Sequence, residues 1–485
     1  MRIAIIADSH FSSTNAITCG KRHCGIADII MRRAAFRIKR LIKPDAVILL
    51  GDLINDGDAN NGPADLAALF THTKLIDAPT IAIPGNHDGS ADAFYQVFPK
   101  PAAITDIAGV RFVINAEHDE ERPGYNAWRA PAGCDLLAAA RKDWSGPIVA
   151  LQHVPLFPPG SCNSPYHYSN ADDLCQSMAA KGVTLAISAH YHHGVPLFAH
   201  NDVNYLVAPA LCETPFPITV VDIDGQNVST HSECLRMPAD LQLVDTHMHT
   251  RFAYCNENMA PERIAAFADA FGIASFRITE HSGHLLYSSK DYYAAQDRDL
   301  PATTADRRLD DFFAAMAAAN IPTAWTGLEI DARSDGQPLL SQTDWNKAAF
   351  RIGAMHQLPS IHRKLAVSED QRRDEFLAIH NTFLRCGFTS LAHPFRVFRR
   401  GKLPIPPGCF KPLVAMLKQT NTAAEINFHT NEPPADFFRL CIANGVKLTL
   451  GSDAHNLYEI GDFALHLDFL RQCGVDTNLR DVLAL

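Results

Sequence analysis

Two runs of this chain share one design. Residues 7–11 read ADSHF behind the apolar RIAII, and residues 244–250 read VDTHMHT behind a second apolar run. Asp8-x-His10 and His247-x-His249 each offer two metal-ligating side chains to one side of an extended strand, because alternate residues of a strand point the same way. Further ligand types stand at the ends of other apolar runs. In the first half these are Asp52 in GD, Asn86 with His87 and Asp88 in GNHD, His153 after PIVALQ, and His190 with His192 in AHYH. In the second half they are Glu280 with His281 in ITEHS, Glu329 in GLEID, His356 in GAMHQ, His393 in LAHPF, and Asp453 with His455 in GSDAH. Carboxylate, imidazole and amide-oxygen donors together suit Fe, Mn or Zn better than Ca or an all-thiolate site. Two such cations about 3.5–4 Å apart, sharing a carboxylate, clamp a phosphoryl group and draw a nucleophile from water at neutral pH.

These groups need strands that finish on one edge of a sheet. The first half alternates short β-rich runs (RIAIIA, DAVILL, TIAI, VRFVI, PIVALQ, VTLAIS) with helical stretches at 27–43 and 63–75. From 203 to 235 it turns to strands alone: VNYLVAPA, PITVVDI and NVSTHSECL. That pattern predicts a two-layer β core flanked by helices. RMPAD at 236–240 is a proline-containing break. Alternation restarts at LQLVD and continues through IASFRIT, TAWTGLEI, FTSLAH, TAAEIN and VKLTLGSD, with helical runs such as PERIAAFADAFG and PADFFRLCIANG between them. Repeated βα units predict a parallel sheet that can close into a barrel. The boundaries expected are therefore 1–236 and 241–485. The irregular stretches 155–170, 282–308 and 331–345 read as rims of the sites.

Composition narrows the function classes. The chain has 485 residues, 47% hydrophobic and 20% charged, with a formal net charge of −10. That is ordinary globular composition, and the acidic balance argues against a nucleic-acid partner. No apolar stretch approaches the ~20 residues of a membrane span. MRIAIIADSHF does not read as a signal peptide, so the cytoplasm is the expected compartment. The 12 cysteines form no C-x-x-C pair and read mainly as small buried hydrophobes in a reducing compartment. The sequence leaves a homo-oligomer open.

Taken in order, DSH, GD, GNHD, H-V-P and HYH resemble the calcineurin-like metallophosphoesterases across roughly residues 1–235. The resemblance implies an αββα sandwich with two divalent metals (Fe, Mn or Zn). Asp8, His10 and His192 would hold the first and Asn86, His153 and His190 the second, with Asp52 bridging. His87, oriented by Asp88, would protonate the leaving oxygen. The GNHD form resembles the branch that contains class III cyclic-nucleotide phosphodiesterases. Ala189 stands where that family usually has Gly, and Asn55 where many relatives have Asp.

The second set resembles the polymerase-and-histidinol-phosphatase (PHP) domain across roughly residues 241–485. That implies a distorted seven-stranded βα barrel with two or three metals (Zn, Mn or Fe). His247, His249, Glu329 and Asp453 would hold the first. Glu329 would bridge to a second, held by His356 and His393. His281, His455 and Cys255 would take a third, and a thiolate there would favour zinc. Arg396, just after LAHPF, has the fork geometry to take two phosphate oxygens. Arg277 is a second substrate-binding candidate and Arg251 a weaker one, while His284 and Tyr287 are placed on the rim. His429 reads as an ordinary histidine.

The pair of resemblances implies a bifunctional metal-dependent phosphoesterase acting on a small phosphorylated substrate, with nucleotides among the candidates. The N-terminal domain would open a phosphodiester and the PHP domain would remove phosphate from the monoester. The alternatives are a nuclease, which the acidic balance and the lack of an aromatic-studded basic stretch oppose, or one active domain beside a regulatory one.

Overall fold

The computed structural model describes residues 1–14, 20–130, 132–297, 307–476 and 478–484. The rim expected at 282–308 lies partly outside them. The chain divides into two compact units, Met1–Arg236 and Met237–Leu485.

The first unit holds strands β1 (Arg2–Ile6), β2 (Ala46–Leu49), β3 (Thr80–Ala82), β4 (Ile104–Ile107), β5 (Val110–Ile114), β6 (Glu120–Arg122), β7 (Asn126–Trp128), β8 (Ile148–Leu151), β9 (Leu185–Ser188), β10 (Val195–His200), β11 (Val203–Val207), β12 (Pro217–Asp224) and β13 (Asn227–Cys234). One sheet runs β13-β12-β1-β2-β3 and the other β10-β11-β9-β8-β5-β4, with β6-β7 a separate hairpin. β1, β2 and β3 are mutually parallel, as are β5, β8, β9 and β11. Alternate residues Ile3, Ile5, Ile48, Ile81, Phe112, Val149, Leu185 and Ile187 meet in one buried cluster between the sheets. The opposite parity of the second sheet (Val113, Ile148, Ala150, Ala186) packs with Leu137, Leu174 and Met178 of the helices Ala132–Arg141 and Ala171–Ala180. This is the αββα sandwich, and burial on both faces of β1, β2, β8 and β9 explains why those strands read as unbroken apolar runs rather than as alternations. Strand β4 and the hairpin β6-β7 carry no such run, and the sequence reading does not contain them.

The second unit holds β14 (Val244–Met248), β15 (Ser275–His281), β16 (Thr326–Asp331), β17 (Phe350–Ala354), β18 (Ser390–Leu391), β19 (Ala423–Asn427) and β20 (Leu448–Gly451). All seven are parallel and lie in chain order in one sheet. The sheet almost closes. Between its first and last strands lie a single bridge, Met248 to Ala454, and bonds such as His249 N to Ala454 O at 3.0 Å and Asp453 N to His247 O at 2.7 Å. A bulge in β14 between Asp245 and Met248 and the two-residue β18 account for the distortion. Helices start where local chemistry allows: Pro261 sits in the first turn of Pro261–Ala270, and Ser368 with Gln371 forms a capping box on Glu369–Phe383. Among the described residues no helix is long and apolar enough to cross a membrane.

Candidate metal centres

In the first unit the candidate ligands follow the carboxyl ends of five parallel strands. Asp8 and His10 follow β1, Asp52 follows β2, Asn86 and His87 follow β3, His153 follows β8, and His190 and His192 follow β9. Strand ends from both sheets therefore meet at one edge of the sandwich. Ligand atoms of Asp8, His10 and His192 lie within 4.8 Å of one another, as do those of Asp52, His153 and His190, and of His10, Asp52 and His87. Asp52 stands between the groups: its Oδ2 is 3.7 Å from His10 Nε2 and 3.3 Å from His153 Nε2. Its Oδ1 accepts the His87 amide at 2.8 Å. Asn86 is exposed and borders two cavities. One, of about 440 Å³, also touches His153, His118 and Tyr125; the other, of about 290 Å³, touches His87, Asn55 and Asp56.

The outer ring nitrogens are anchored. His153 Nδ1 donates to Leu50 O at 2.6 Å, His192 Nδ1 to Glu213 Oε1 at 2.7 Å, and His87 Nδ1 to Asn55 O at 2.8 Å. This fixes the tautomer that leaves Nε2 as a lone pair. Burial holds His10 well below the usual imidazole range and His190 down to about 3, so both stay neutral ligands at pH 7. Asp8 Oδ1 and His190 Nε2 are buried without a hydrogen-bond partner. Unpartnered lone pairs beside buried carboxyls are what a divalent cation satisfies, so the residues fit metals here.

The backbone is shaped for this. Asp8, His10, Asp52 and His190, with His393 and Asp453 in the other unit, have φ of 52°, 46°, 49°, 64°, 34° and 55°. Left-handed conformations at non-glycine residues cost on the order of 1–3 kcal/mol each and persist where surroundings over-determine them. Gly85 is required by proximity: a Cβ there would lie 2.3 Å from Asp52 Oδ1 and 2.7 Å from His153 Cε1.

In the second unit Glu329 is the hub. His393 Nε2 meets its Oε1 at 2.8 Å, and His356 Nε2 and His247 Nε2 lie 3.4 and 3.6 Å from the same oxygen. His281 Nδ1 is 2.5 Å from Oε2, without the alignment of a hydrogen bond. Asp453 Oδ1 lies 3.0 Å from His249 Nε2, which is 3.0 Å from His247 Nε2. Ligand atoms of His249, His281 and His455 group within 4.8 Å, as do those of Cys255, His281 and His284. Glu329 Oε2, His281 Nδ1, His356 Nε2 and His393 Nδ1 have no hydrogen-bond partner. This donor set likewise fits metals. Burial lowers His281 and His393 well below the usual range. At His247 burial opposes the charge, yet Glu425, Asp453 and Glu329 raise it well above.

Two expectations are corrected. Asp88 does not orient His87, whose Nδ1 is taken by Asn55 O. The buried Asp88 carboxylate accepts the amides of Ile54 at 3.0 Å and Gly85 at 2.8 Å, bracing the two turns that carry Asp52 and Asn86. Arg277 is not brought to the centre. It lies near the start of β15, four residues before His281 and thus about 13 Å along the strand, where it donates to Ser275 Oγ and Phe276 O beside Trp325 and Phe350. Arg251 pairs with Glu262 on the surface. Arg396 is at the centre, buried, with Nη2 donating to Asp453 and to Asn427 Oδ1.

Sequence reasoning gave no role to Glu425 or Asp331, and named Glu280 only as a ligand type at a strand end. Glu425 Oε1 accepts from His247 Nδ1 at 2.7 Å, Glu280 Oε1 faces His249 Nδ1 at 3.2 Å, and Asp331 Oδ1 meets His356 Nδ1 at 2.5 Å. Tyr292 and Gln296 in turn hold Asp331. Asp331 was findable, lying two residues from Glu329 on one strand. His429 is not ordinary: it stacks on His455 at 4.7 Å, and its Nδ1 meets Glu459 Oε1 at 3.1 Å.

Residues 1–194 match the family model described as "Calcineurin-like phosphoesterase". No curated protein matches the chain. Among solved structures, a dimetal phosphatase from Danio rerio is similar at 14% identity and TM-score 0.40, over 48% of this chain and 98% of that one. A candidate histidinol phosphatase, hisK, from Listeria monocytogenes is similar at 15% identity and TM-score 0.35, over 45% of this chain and 97% of that one. An archaeal phosphodiesterase is similar at 14% identity and TM-score 0.26, over 48% of this chain and 100% of that one.

Proposed function

We propose that this chain hydrolyses phosphoric esters at two metal centres, one per unit. The N-terminal centre opens a phosphodiester, and the C-terminal centre removes phosphate from the resulting monoester of a small substrate. What carries the reading is the convergence, in each unit, of buried imidazole and carboxylate atoms that have no hydrogen-bond partner, taken with the family match over residues 1–194. Divalent cations, two in the first unit and two or three in the second, supply charge for the phosphoryl oxygens and acidify a water nucleophile.

The side chains do the rest. Asp8, His10 and His192 make one seat of the first unit, and Asn86, His153 and His190 the other, with Asp52 shared. His87, anchored through Nδ1 on Asn55 O, presents Nε2 to the departing oxygen, to which it gives a proton as the imidazolium. In the second unit Glu329 is shared between the His247, His249 and Asp453 side and the His356 and His393 side. Arg396 lies against Asp453, where its guanidinium also favours a phosphoryl group.

The test uses the full chain with bis(p-nitrophenyl) phosphate and p-nitrophenyl phosphate. The Asn86→Ala/His87→Ala double variant loses diester cleavage and keeps monoester cleavage. The His247→Ala/His249→Ala variant turns the diester into accumulating monoester. If both variants still carry the diester through to free phosphate, the division of labour is wrong.

A further inference from the structure

We propose that the cavity of about 440 Å³ beside the N-terminal centre seats one arm of a phosphodiester, and that the arm it selects ends in an ammonium group. The proposal rests on reading that centre as a diesterase, and it names a substrate class for it.

The cavity is bordered by the candidate ligands Asn86 and His153 and by the hairpin β6-β7. Its volume falls within the ~300–1,000 Å³ usual for small-ligand sites. One wall is Tyr125, which is 61% exposed and whose ring centroid lies 6.5 Å from that of His190. In the turn Pro123-Gly124-Tyr125 the last two residues have φ of 78° and 61°. Glycine or asparagine is the usual occupant of such a position, so the tyrosine serves through its ring and not through the turn. The hairpin is pinned. The His167 amide donates to Asn126 Oδ1 at 2.9 Å, Ala127 N bonds to His167 O at 3.1 Å, and Ser169 N bonds to Ala127 O at 2.8 Å. Just beyond it, Arg129 grips Asp119 through Nε and Nη2, each at 2.9 Å, and donates to Tyr168 Oη at 2.8 Å. The wall therefore stands formed before a ligand arrives, which lowers the entropic cost of binding.

Charge decides which arm fits. Four carboxylates line the cavity, and among its described lining residues there is no lysine or arginine. Asp119 is occupied by Arg129 and by Asn115 Nδ2 at 2.7 Å, and Glu117 pairs with Lys100. Asp58 and Glu121 are exposed and, among the described residues, have no ion-pair partner. Two carboxylates in that state, with the face of a tyrosine, attract an ammonium group, which an aromatic ring binds through its quadrupole. The same field opposes an arm that carries further phosphates, such as an oligonucleotide or a nucleoside polyphosphate. A neutral nucleoside can stack on the tyrosine but draws nothing from the net charge.

Three p-nitrophenyl diesters that share one leaving group and differ in the other arm test this: choline, its uncharged isostere neohexyl, and thymidyl. On the metal-loaded full chain, kcat/KM for the choline ester should exceed that for the neohexyl ester by roughly tenfold or more, chiefly through KM. The ratio should shrink as salt rises. Tyr125→Ala, and separately the Asp58→Asn/Glu121→Gln double variant, should bring the ratio toward one, while Tyr125→Phe keeps the ring and should keep the preference. Equal kcat/KM for the choline and neohexyl esters, a preference for the thymidyl over the choline ester, or a ratio that survives both Tyr125→Ala and the double variant overturns the seat and leaves diester cleavage standing. If none of the three is cleaved, the N-terminal centre is not a diesterase, and calorimetry reads the seat instead. The choline ester should then still bind more tightly than the neohexyl ester, and equal affinity overturns the seat.

Discussion

Replacing Glu425 by Gln keeps the side-chain volume and removes the charge. Glu425 is 1% exposed and serves three donors: His247 Nδ1 at 2.7 Å on Oε1, and the His393 amide at 2.8 Å and Asn427 Nδ2 at 3.1 Å on Oε2. A carboxylate accepts all three. A carboxamide has one accepting oxygen, so either orientation sets an N–H against an N–H. One buried donor left facing another costs about 1–3 kcal/mol. His247 also loses the charged partner that fixes its tautomer, and partners of this kind change metal affinity by about 10–100-fold, roughly 1.4–2.7 kcal/mol. The two routes agree on the size of the effect. Chelator competition on the full chain measures it, with the N-terminal centre as internal control. Zinc affinity of the C-terminal centre should fall by about 10–100-fold, and monoester turnover at limiting metal should fall with it and recover in excess metal. Diester cleavage should not change. An E425Q chain with unchanged metal affinity refutes the reasoning.

Two further outcomes follow from packing and burial. Gly85→Ala places a methyl 2.3 Å from Asp52 Oδ1 and 2.5 Å from Asp52 N; it should cost about 1–3 kcal/mol in thermal denaturation and abolish diester but not monoester cleavage. His380 is fully buried in the helix Glu369–Phe383, its Nδ1 donating to Phe376 O at 2.8 Å, and burial lowers it to about 4. The unfolded chain therefore binds the proton first as pH falls. The His380 contribution is complete above about pH 6.5, declines toward pH 4, and amounts to about 3 kcal/mol at most. His380→Leu should flatten the stability of the C-terminal unit over that window, measured by denaturant melts from pH 7 to 4; an unchanged slope removes the assignment.

The strand-end ligands were legible because they carry their own signal: Asp-x-His, GNHD and His-x-His are short, and each closes an apolar run. The fold was legible for the same reason, since strands buried on both faces read as continuous hydrophobic stretches. What escaped depends on neighbours distant in sequence. Glu425 on β19 reaches His247 on β14 only because the sheet curls round to bring its two ends together, and no local pattern announces that closure. Glu213 likewise finds His192 through the return of the chain after β11. Asp88 was misassigned because its sequence neighbour is His87, whereas the turn aims its carboxylate at backbone amides. Arg277 failed for a metric reason: proximity in sequence on an extended strand is distance in space.

The barrel of the second unit is joined across one narrow seam, and the residues that gather round Glu329 come from both sides of it. His247 and His249 belong to its first strand, and Asp453 and His455 follow its last. A nascent chain therefore carries half a basket for some two hundred residues of synthesis. Until the segment after β20 leaves the ribosome, no arrangement of the emerged strands can cage a cation with the full donor set. The seat of His247, His249 and Asp453 is completed only by that segment, and a truncation before it should lose the cation of this seat while Glu329, His356 and His393 remain.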